Sequence, residues 1–218
     1  MTSLREELAA TVARIFARGW CPATAGNYSV RLPGPTFKIL VSPSGVDKAN
    51  LRASGLIEIS SRGDLLYGEG KPSAEYLLHM AVYEETGASS VLHVHTVWNT
   101  LLSLEHLPAG SLKLSGLEIL KGLSGVATHK HTEIVPILEN SQDMVELSQQ
   151  LRTTLRHNPG CHGFLLAGHG LYTWGDSIQA AYRHLETFEF LFEVFARQSE
   201  RIPTLSPNET RDGETTYT

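Results

Sequence analysis

The chain lacks a long apolar run. No window of its 218 residues approaches the roughly 20 consecutive apolar positions that a membrane span requires, so no membrane partner is expected. It also lacks blocks of like charge. Lys and Arg number 18 against 23 Asp and Glu, a formal net charge of −5, and no basic run stands out. Nothing electrostatic therefore favours a nucleic acid or an anionic lipid surface. Cysteine is scarce. Cys21 and Cys161 are too few for the disulfide framework of a secreted protein of this size, and the expectation is two reduced, partly buried thiols in a cytoplasmic protein. The first 18 residues carry Arg5, Glu6 and Glu7 and no unbroken apolar stretch, unlike a signal peptide. Neither GxGxxG after the first strand nor GxxxxGK[ST] is present, which removes the usual nucleotide-binding readings. There is no internal repeat.

What is present is an ordinary globular composition, 41% hydrophobic and 19% charged, sufficient to bury a core. Ser3 followed by Glu6 reads as a capping box opening a helix over 3–18, with Leu8, Val12, Ile15 and Phe16 at helical spacing. A loop follows through Gly19–Asn27, then short strand-like pieces at 28–32 and 37–42. The pattern predicts helices at about 73–85, with Ser73 as N-cap, at about 142–157, and at 177–199, opened by Asp176 or Ser177. Strands are expected at 90–95 and 164–167. Alternating short strands and helices imply a layered α/β domain, expected as one unit over residues 1–202. Residues 203–218, rich in Pro, Thr and Glu, are expected to form a flexible tail.

The chain holds ten histidines, and their placement carries the functional signal. His93 and His95 are two apart. Alternate residues of a strand share a face, so both imidazoles can reach one ion. On a helix the same spacing would turn them about 200° apart, so the strand assignment of Ser90–His95, supported by Val91, Leu92 and Val94, matters. Neutral imidazole suits zinc, as it does other late transition metals. His169 sits between Gly168 and Gly170 just past an apolar strand, where small neighbours leave room for a metal. A third imidazole there would complete a three-ligand site with one open position, which is the mark of catalytic rather than structural zinc. The competing reading is two unrelated strand histidines and a turn histidine. A second pair, His129 and His131, lies in a polar stretch and reads as an exposed strand or loop. His79 and His184 fall on expected helices as packed or surface residues.

Several segments look built to hold an anion. Thr24-Ala25-Gly26-Asn27, Ser42-Pro43-Ser44-Gly45 and Lys71-Pro72-Ser73 offer hydroxyls, an amide or backbone N–H groups, and a helix starting at Ser73 would favour negative charge. Each is an ordinary turn by itself; together they point to a phosphorylated substrate without a nucleotide. Two carboxylates stand out. Glu75 lies in an expected first helical turn, where it could simply complement the dipole. Glu118, flanked by Leu117, Ile119 and Leu120, is either a core-edge residue in an ion pair or a general acid/base with a raised pKa.

Gly26-Asn27, Ser44-Gly45, Lys71-Pro72-Ser73-Ala74-Glu75, His93-Val94-His95 and Gly168-His169-Gly170 occur in an order and spacing that resembles the class II aldolase/adducin family, over roughly residues 4–200. Within that family the segments Glu118–Gly122, Val135–Asn140 and His169–Gly175 look like its dehydratase branch. The resemblance implies a three-layer α/β/α fold with a central, largely antiparallel sheet, and a homotetramer with active sites near subunit boundaries. It also implies one zinc ion per subunit on His93, His95 and His169, and hydro-lyase activity on a phosphorylated ketose. By the same match Gly26, Asn27, Ser44, Gly45, Lys71 and Ser73 would bind the phosphate. Glu118 would be the catalytic acid/base, a role that the family's aldolases give to the position of Glu75. Ala74 stands where those aldolases carry a second phosphate-binding serine. The alternatives are a sugar-phosphate aldolase or epimerase, and a non-catalytic adducin-like scaffold.

Overall fold

A computed structural model describes residues 3–201; the expected tail at 203–218 lies outside the described residues. Among the described residues nine strands form one sheet. They are β1 (Asn27–Arg31), β2 (Lys38–Val41), β3 (Ile57–Ser60), β4 (Leu65–Tyr67), β5 (Ser90–Val94), β6 (Ser111–Ser115), β7 (Thr132–Leu138), β8 (Gly163–Leu166) and β9 (Gly170–Gly175). Their order is β4-β3-β2-β1-β5-β9-β8-β7-β6. Every neighbouring pair is antiparallel except β7 with β8. Five helices cover it: α1 (Leu4–Ala17), α2 (Tyr76–Thr86), α3 (Val97–His106), α4 (Met144–His157) and α5 (Ile178–Arg201).

The period of two along the strands decides which helices meet which side chains. Tyr28, Val30, Leu92, Val94 and Leu171 pack with Leu8, Val12 and Ile15 of α1, Leu102 of α3 and Leu185, Phe188 and Phe192 of α5. Val91, Phe164, Tyr172 and Trp174 face the other way, onto Leu78 and Val82 of α2 and Leu147 and Leu151 of α4. The result is the expected three-layer α/β/α arrangement. Strand β5 is buried along its whole length, as a central strand covered on both faces must be.

The Ser3–Glu6 capping box forms as the sequence implies, with the Ser3 N–H donating to Glu6 Oε2 at 2.8 Å and the Glu6 N–H to Ser3 Oγ at 3.3 Å. Helix α2 starts three residues later than expected, and Ser73 is not its N-cap. That position belongs to Glu75, whose side chain makes no capping bond. The carboxylate is drawn instead toward the histidines. Strand β5 ends at Val94, one residue before His95. The N-cap of α4 is Asp143, and Ser177 Oγ accepts from Ala180 N at the start of α5. Cys21 is buried and Cys161 half-buried, both free thiols. No helix among the described residues is long and apolar enough to cross a membrane.

Helix α3 has no counterpart among the helices expected from sequence. Its N-terminus is a reciprocal cap in which Asn99 N donates to Thr96 Oγ at 3.3 Å and Thr96 N donates to Asn99 Oδ1 at 3.1 Å. Asn99 Nδ2 then donates to Glu189 Oε1 on α5 at 3.1 Å, while Glu189 Oε2 has no partner among the described residues. Glu189 is 4% exposed. Burial pushes its carboxyl up to about 7, against the opposing pull of Thr96 and Asn99. A folded-state pKa above the unfolded value of 4.5 means that folding binds a proton. The associated stability is present below about pH 4.5 and is lost as pH rises through about 7. Glu189→Gln is therefore expected to be more stable than the parent at pH 8 by roughly 3 kcal/mol and to converge with it at pH 4.5. Urea denaturation at the two pH values measures this, and an equal offset at both would refute it.

Candidate metal centre and adjoining cleft

His93 is fully buried near the end of β5. Because it shares a face with Val91, it points toward the α2 side of the sheet. Its ring stacks on Tyr172 of β9, with centroids 3.8 Å apart and planes inclined by 12°. Its Nδ1 donates to the Leu171 carbonyl at 3.0 Å. That bond fixes the tautomer and leaves the Nε2 lone pair facing outward, the usual way a protein orients a metal-binding imidazole. His95 continues the same direction just beyond the strand, its N–H donating to Trp20 O at 3.1 Å. His169 sits in the tight β8–β9 turn. Its Nδ1 lies 3.2 Å from Asn140 Oδ1, and Ser103 Oγ of α3 accepts from Gly168 N at 3.0 Å. Gly170 is obligatory here, because a Cβ would collide with the Val94 carbonyl and His93 Cε1.

The three Nε2 atoms converge. His95 to His93 is 2.8 Å and His93 to His169 is 3.2 Å, and the three donor atoms lie within 4.8 Å of one another. Tetrahedral nitrogens about 2.0–2.1 Å from a zinc ion would stand about 3.3 Å apart, so a small outward adjustment suits the donor set to an ion. Burial lowers the pKa of His93 well below the ordinary value and brings His95 down to about 4. Both are neutral at pH 7, as ligation requires.

Glu75 closes the cluster, with Oε1 3.3 Å from His169 Nε2 and Oε2 3.9 Å from His93 Nε2. Burial works to raise its pKa. The hydrogen bond to His169, the nearby His93 and the amide of Asn27 overcome this and hold the carboxyl well below the usual range. Behind it runs a buried chain that donates in one direction. Tyr83 OH reaches Ser29 Oγ at 2.6 Å, and Ser29 Oγ reaches His79 Nδ1 at 2.7 Å. His79 Nε2 donates to Asn27 Oδ1 at 2.5 Å, and Asn27 Nδ2 donates to Glu75 Oε2. This polarity follows from the network, since the Asn27 amide must present its nitrogen to the carboxylate. Burial lowers the His79 pKa to about 4, so it is neutral and can serve as acceptor and donor at once. From sequence His79 is only a packed or surface residue, because nothing local marks its place in this chain.

Beside the cluster lies a cleft of about 190 Å³ lined by Thr24, Gly26, Asn27, Ser42, Ser44, Gly45, Lys48, Ser73, Glu75 and His95. Of the residues expected to hold phosphate, Gly26, Asn27, Ser44, Gly45 and Ser73 therefore come together. Gly26 has φ +86°, and a Cβ there would strike the His93 carbonyl and Tyr28 OH. Lys71 does not line the cleft. Its side chain is exposed, and its contribution is a carbonyl that accepts from Ser44 N at 2.8 Å. A larger hollow of about 370 Å³ adjoins His162 and His184. Its imidazoles are committed to Glu133, Ser124 and the Trp174 carbonyl, so the convergent free donors are at the smaller cleft.

Glu118 is not brought to the histidines of its own chain. It opens a 3-10 turn, Glu118–Gly122, is 69% exposed, and pairs with Lys121 and, at 3.5 Å, with His129 Nδ1. The hydrogen bond from Lys121 lowers its pKa, the opposite of the raised value that one of its two sequence readings requires. His129 is exposed and His131 half-buried against Glu133 Oε2 at 2.9 Å.

Three converging imidazoles, a carboxylate in contact with them and a small-residue cleft beside them make a candidate metal centre. The chain belongs to the class II aldolase/adducin family: the Class II Aldolase and Adducin N-terminal domain matches residues 6–196. The chain is 41% identical, over 86% of its own length and 87% of the other, to a methylthioribulose-1-phosphate dehydratase from Alcanivorax borkumensis. It is 42% identical, over 82% and 86%, to a protein of the same name from Marinobacter nauticus. Its fold is similar to that of an L-fuculose-1-phosphate aldolase from Thermus thermophilus, with a TM-score of 0.70 and 29% identity over 90% of this chain and 97% of that one.

Proposed function

We propose that this chain is a hydro-lyase that converts 5-methylthioribulose-1-phosphate to 2,3-diketo-5-methylthiopentyl-1-phosphate in methionine salvage, as a cytoplasmic homotetramer with one zinc ion per subunit on His93, His95 and His169. The observation that carries the reading is the convergence of those three imidazoles beside a cleft of hydroxyl and glycine residues, in a chain about 41% identical to dehydratases of that name. Zinc, when bound, would supply Lewis acidity to the C2 carbonyl oxygen and so acidify the C3 hydrogen.

The chain's own residues perform the remaining tasks. Gly26, Asn27, Ser44, Gly45 and Ser73 hold the phosphate and set the register of the sugar chain over the cluster. Glu118 takes the C3 proton. The C4 hydroxyl departs as water with the proton that Glu118 has just taken, and the resulting enol ketonises by losing its hydroxyl proton and taking a solvent proton at C4. Exposure of Glu118 in the single chain fits delivery from a neighbouring subunit. An unpartnered apolar stripe on α3, Val97, Leu101 and Leu104, begins two residues past His95 and supports burial of that edge by a second copy.

Contact of Glu75 with the cluster favours a second reading, a sugar-phosphate aldolase that deprotonates the C4 hydroxyl and breaks C3–C4. One set of incubations in deuterium oxide separates the two. With methylthioribulose-1-phosphate, the dehydratase is expected to yield the diketone carrying one solvent deuterium at C4, and a chelator should abolish turnover. Carbon–carbon bond formation from dihydroxyacetone phosphate and an aldehyde, without dehydration, would establish the aldolase instead. Purified protein without bound metal would favour a scaffold.

A further inference from the structure

We propose that Lys48, and not Lys71, which the sequence places among the phosphate-binding residues, is the cation that pairs with the substrate's phosphate. The inference rests on the reading of the cleft as a phosphomonoester site. Lys48 follows the Pro43-Ser44-Gly45 turn and opens a 3-10 turn, Lys48–Asn50, packed against α1. That packing folds its side chain inward, where it lines the cleft with Gly26, Ser44, Gly45 and Ser73.

Lys48 is 2% exposed, the one buried lysine among the described residues. Its ammonium has three donors, yet its only hydrogen bond among the described residues is to the Val46 carbonyl at 3.4 Å. No ion pair forms to it among the described residues. The adjacent Asp47 carboxylate is occupied by Ala49 N at 2.9 Å and Asn50 Nδ2 at 2.6 Å. Glu75, across the cleft, is committed to Asn27 and His169. Burying a charge without a hydrogen-bonded partner is costly. A side chain kept in that condition beside an anion cleft is explained if the missing partner is the ligand. Burial also pushes the Lys48 pKa down, against a smaller opposing pull from Cys21 and Asp47. A phosphate dianion would supply acceptors for its free N–H groups and remove the penalty on binding. Charge-assisted bonds of this kind are worth more than neutral ones.

The experiment compares the parent with Lys48→Met, which keeps the length and apolar stem of the side chain, and with Lys113→Met, which removes an exposed charge on β6 as a control for net charge. Three quantities are read: the KM and kcat for methylthioribulose-1-phosphate, the Kd for inorganic phosphate by calorimetry, and Tm. For Lys48→Met the KM and the phosphate Kd are expected to rise about 10- to 100-fold, with kcat within a few-fold of the parent. Its Tm without ligand should equal or exceed that of the parent, because a buried unpaired charge has been replaced by a thioether. Lys113→Met should match the parent throughout. Unchanged KM and Kd in Lys48→Met would overturn the assignment of Lys48 while the parent's turnover upheld the phosphoketose reading. A lower Tm with unchanged Kd would likewise overturn it by showing a structural role. A parent that neither turns over the phosphoketose nor binds phosphate would bring down both readings together.

Discussion

Replacing His169 with alanine is expected to abolish metal binding and lower kcat by at least about 10³-fold, while leaving the fold intact. The side chain is 12% exposed in a turn. Its removal leaves Asn140 Oδ1 free and takes away one of three converging nitrogens. Loss of a hydrogen bond that merely supports a ligand costs about 10- to 100-fold in metal affinity; loss of the ligand itself should cost more. The rate effect follows because Lewis-acid stabilisation of developing charge is worth several kcal/mol, and each 1.36 kcal/mol is about tenfold in rate. Elemental analysis of dialysed protein, circular dichroism and steady-state turnover measure the three parts. A variant that retains one metal per chain and near-parent kcat would remove His169 from the centre.

Glu118→Gln is expected to keep its metal and its substrate affinity but to lose about 10²- to 10⁴-fold in kcat, the range for a positioned acid/base. The structure adds a condition that the residues alone do not. In its own chain the Glu118 carboxylate is exposed and bound to Lys121 and His129, not to the histidine cluster. If it acts, it acts on a neighbour's centre. Hetero-oligomers formed by mixing Glu118→Gln with His169→Ala should then recover part of the activity that each homo-oligomer lacks. The former chain would supply an intact metal centre and the latter an intact Glu118. Near-parent turnover by Glu118→Gln would end its assigned role, and an inactive mixture with proven subunit exchange would end delivery across the boundary. In that case Glu75, which already touches His169, becomes the acid/base.

The same contrast runs through the rest of the chain. The capping box at Ser3 and Glu6, the helical face of Leu8, Val12 and Ile15 and the His93–His95 pair are legible because each depends on neighbours within a turn or two of chain. Helix α3 is hidden because its cap closes through Asn99, outside the usual Glu or Gln pattern, and its apolar stripe faces solvent. Strand β7 is hidden because Pro136 interrupts its pattern. The proline is tolerated beside Ser111, one residue before pairing with β8 begins at Ile137. Ser73 fails as a helix cap because the turn before α2 places Glu75 at the N-cap and carries its carboxylate to the histidine cluster.

What the sequence by itself determined was local and periodic: a strand that turns His93 and His95 to one side, a glycine-flanked His169, and small residues suited to an anion. Only the tertiary structure decided that these meet, that Glu75 and the Tyr83–Ser29–His79–Asn27 chain stand behind them, that Lys48 and not Lys71 enters the cleft, and that Glu118 is exposed and paired with Lys121 and His129. The physical reason is that side-chain direction follows from the backbone period, which a sequence carries. Burial and partnership follow from which elements the sheet order brings side by side, here His93 and His169, 76 positions apart in the chain.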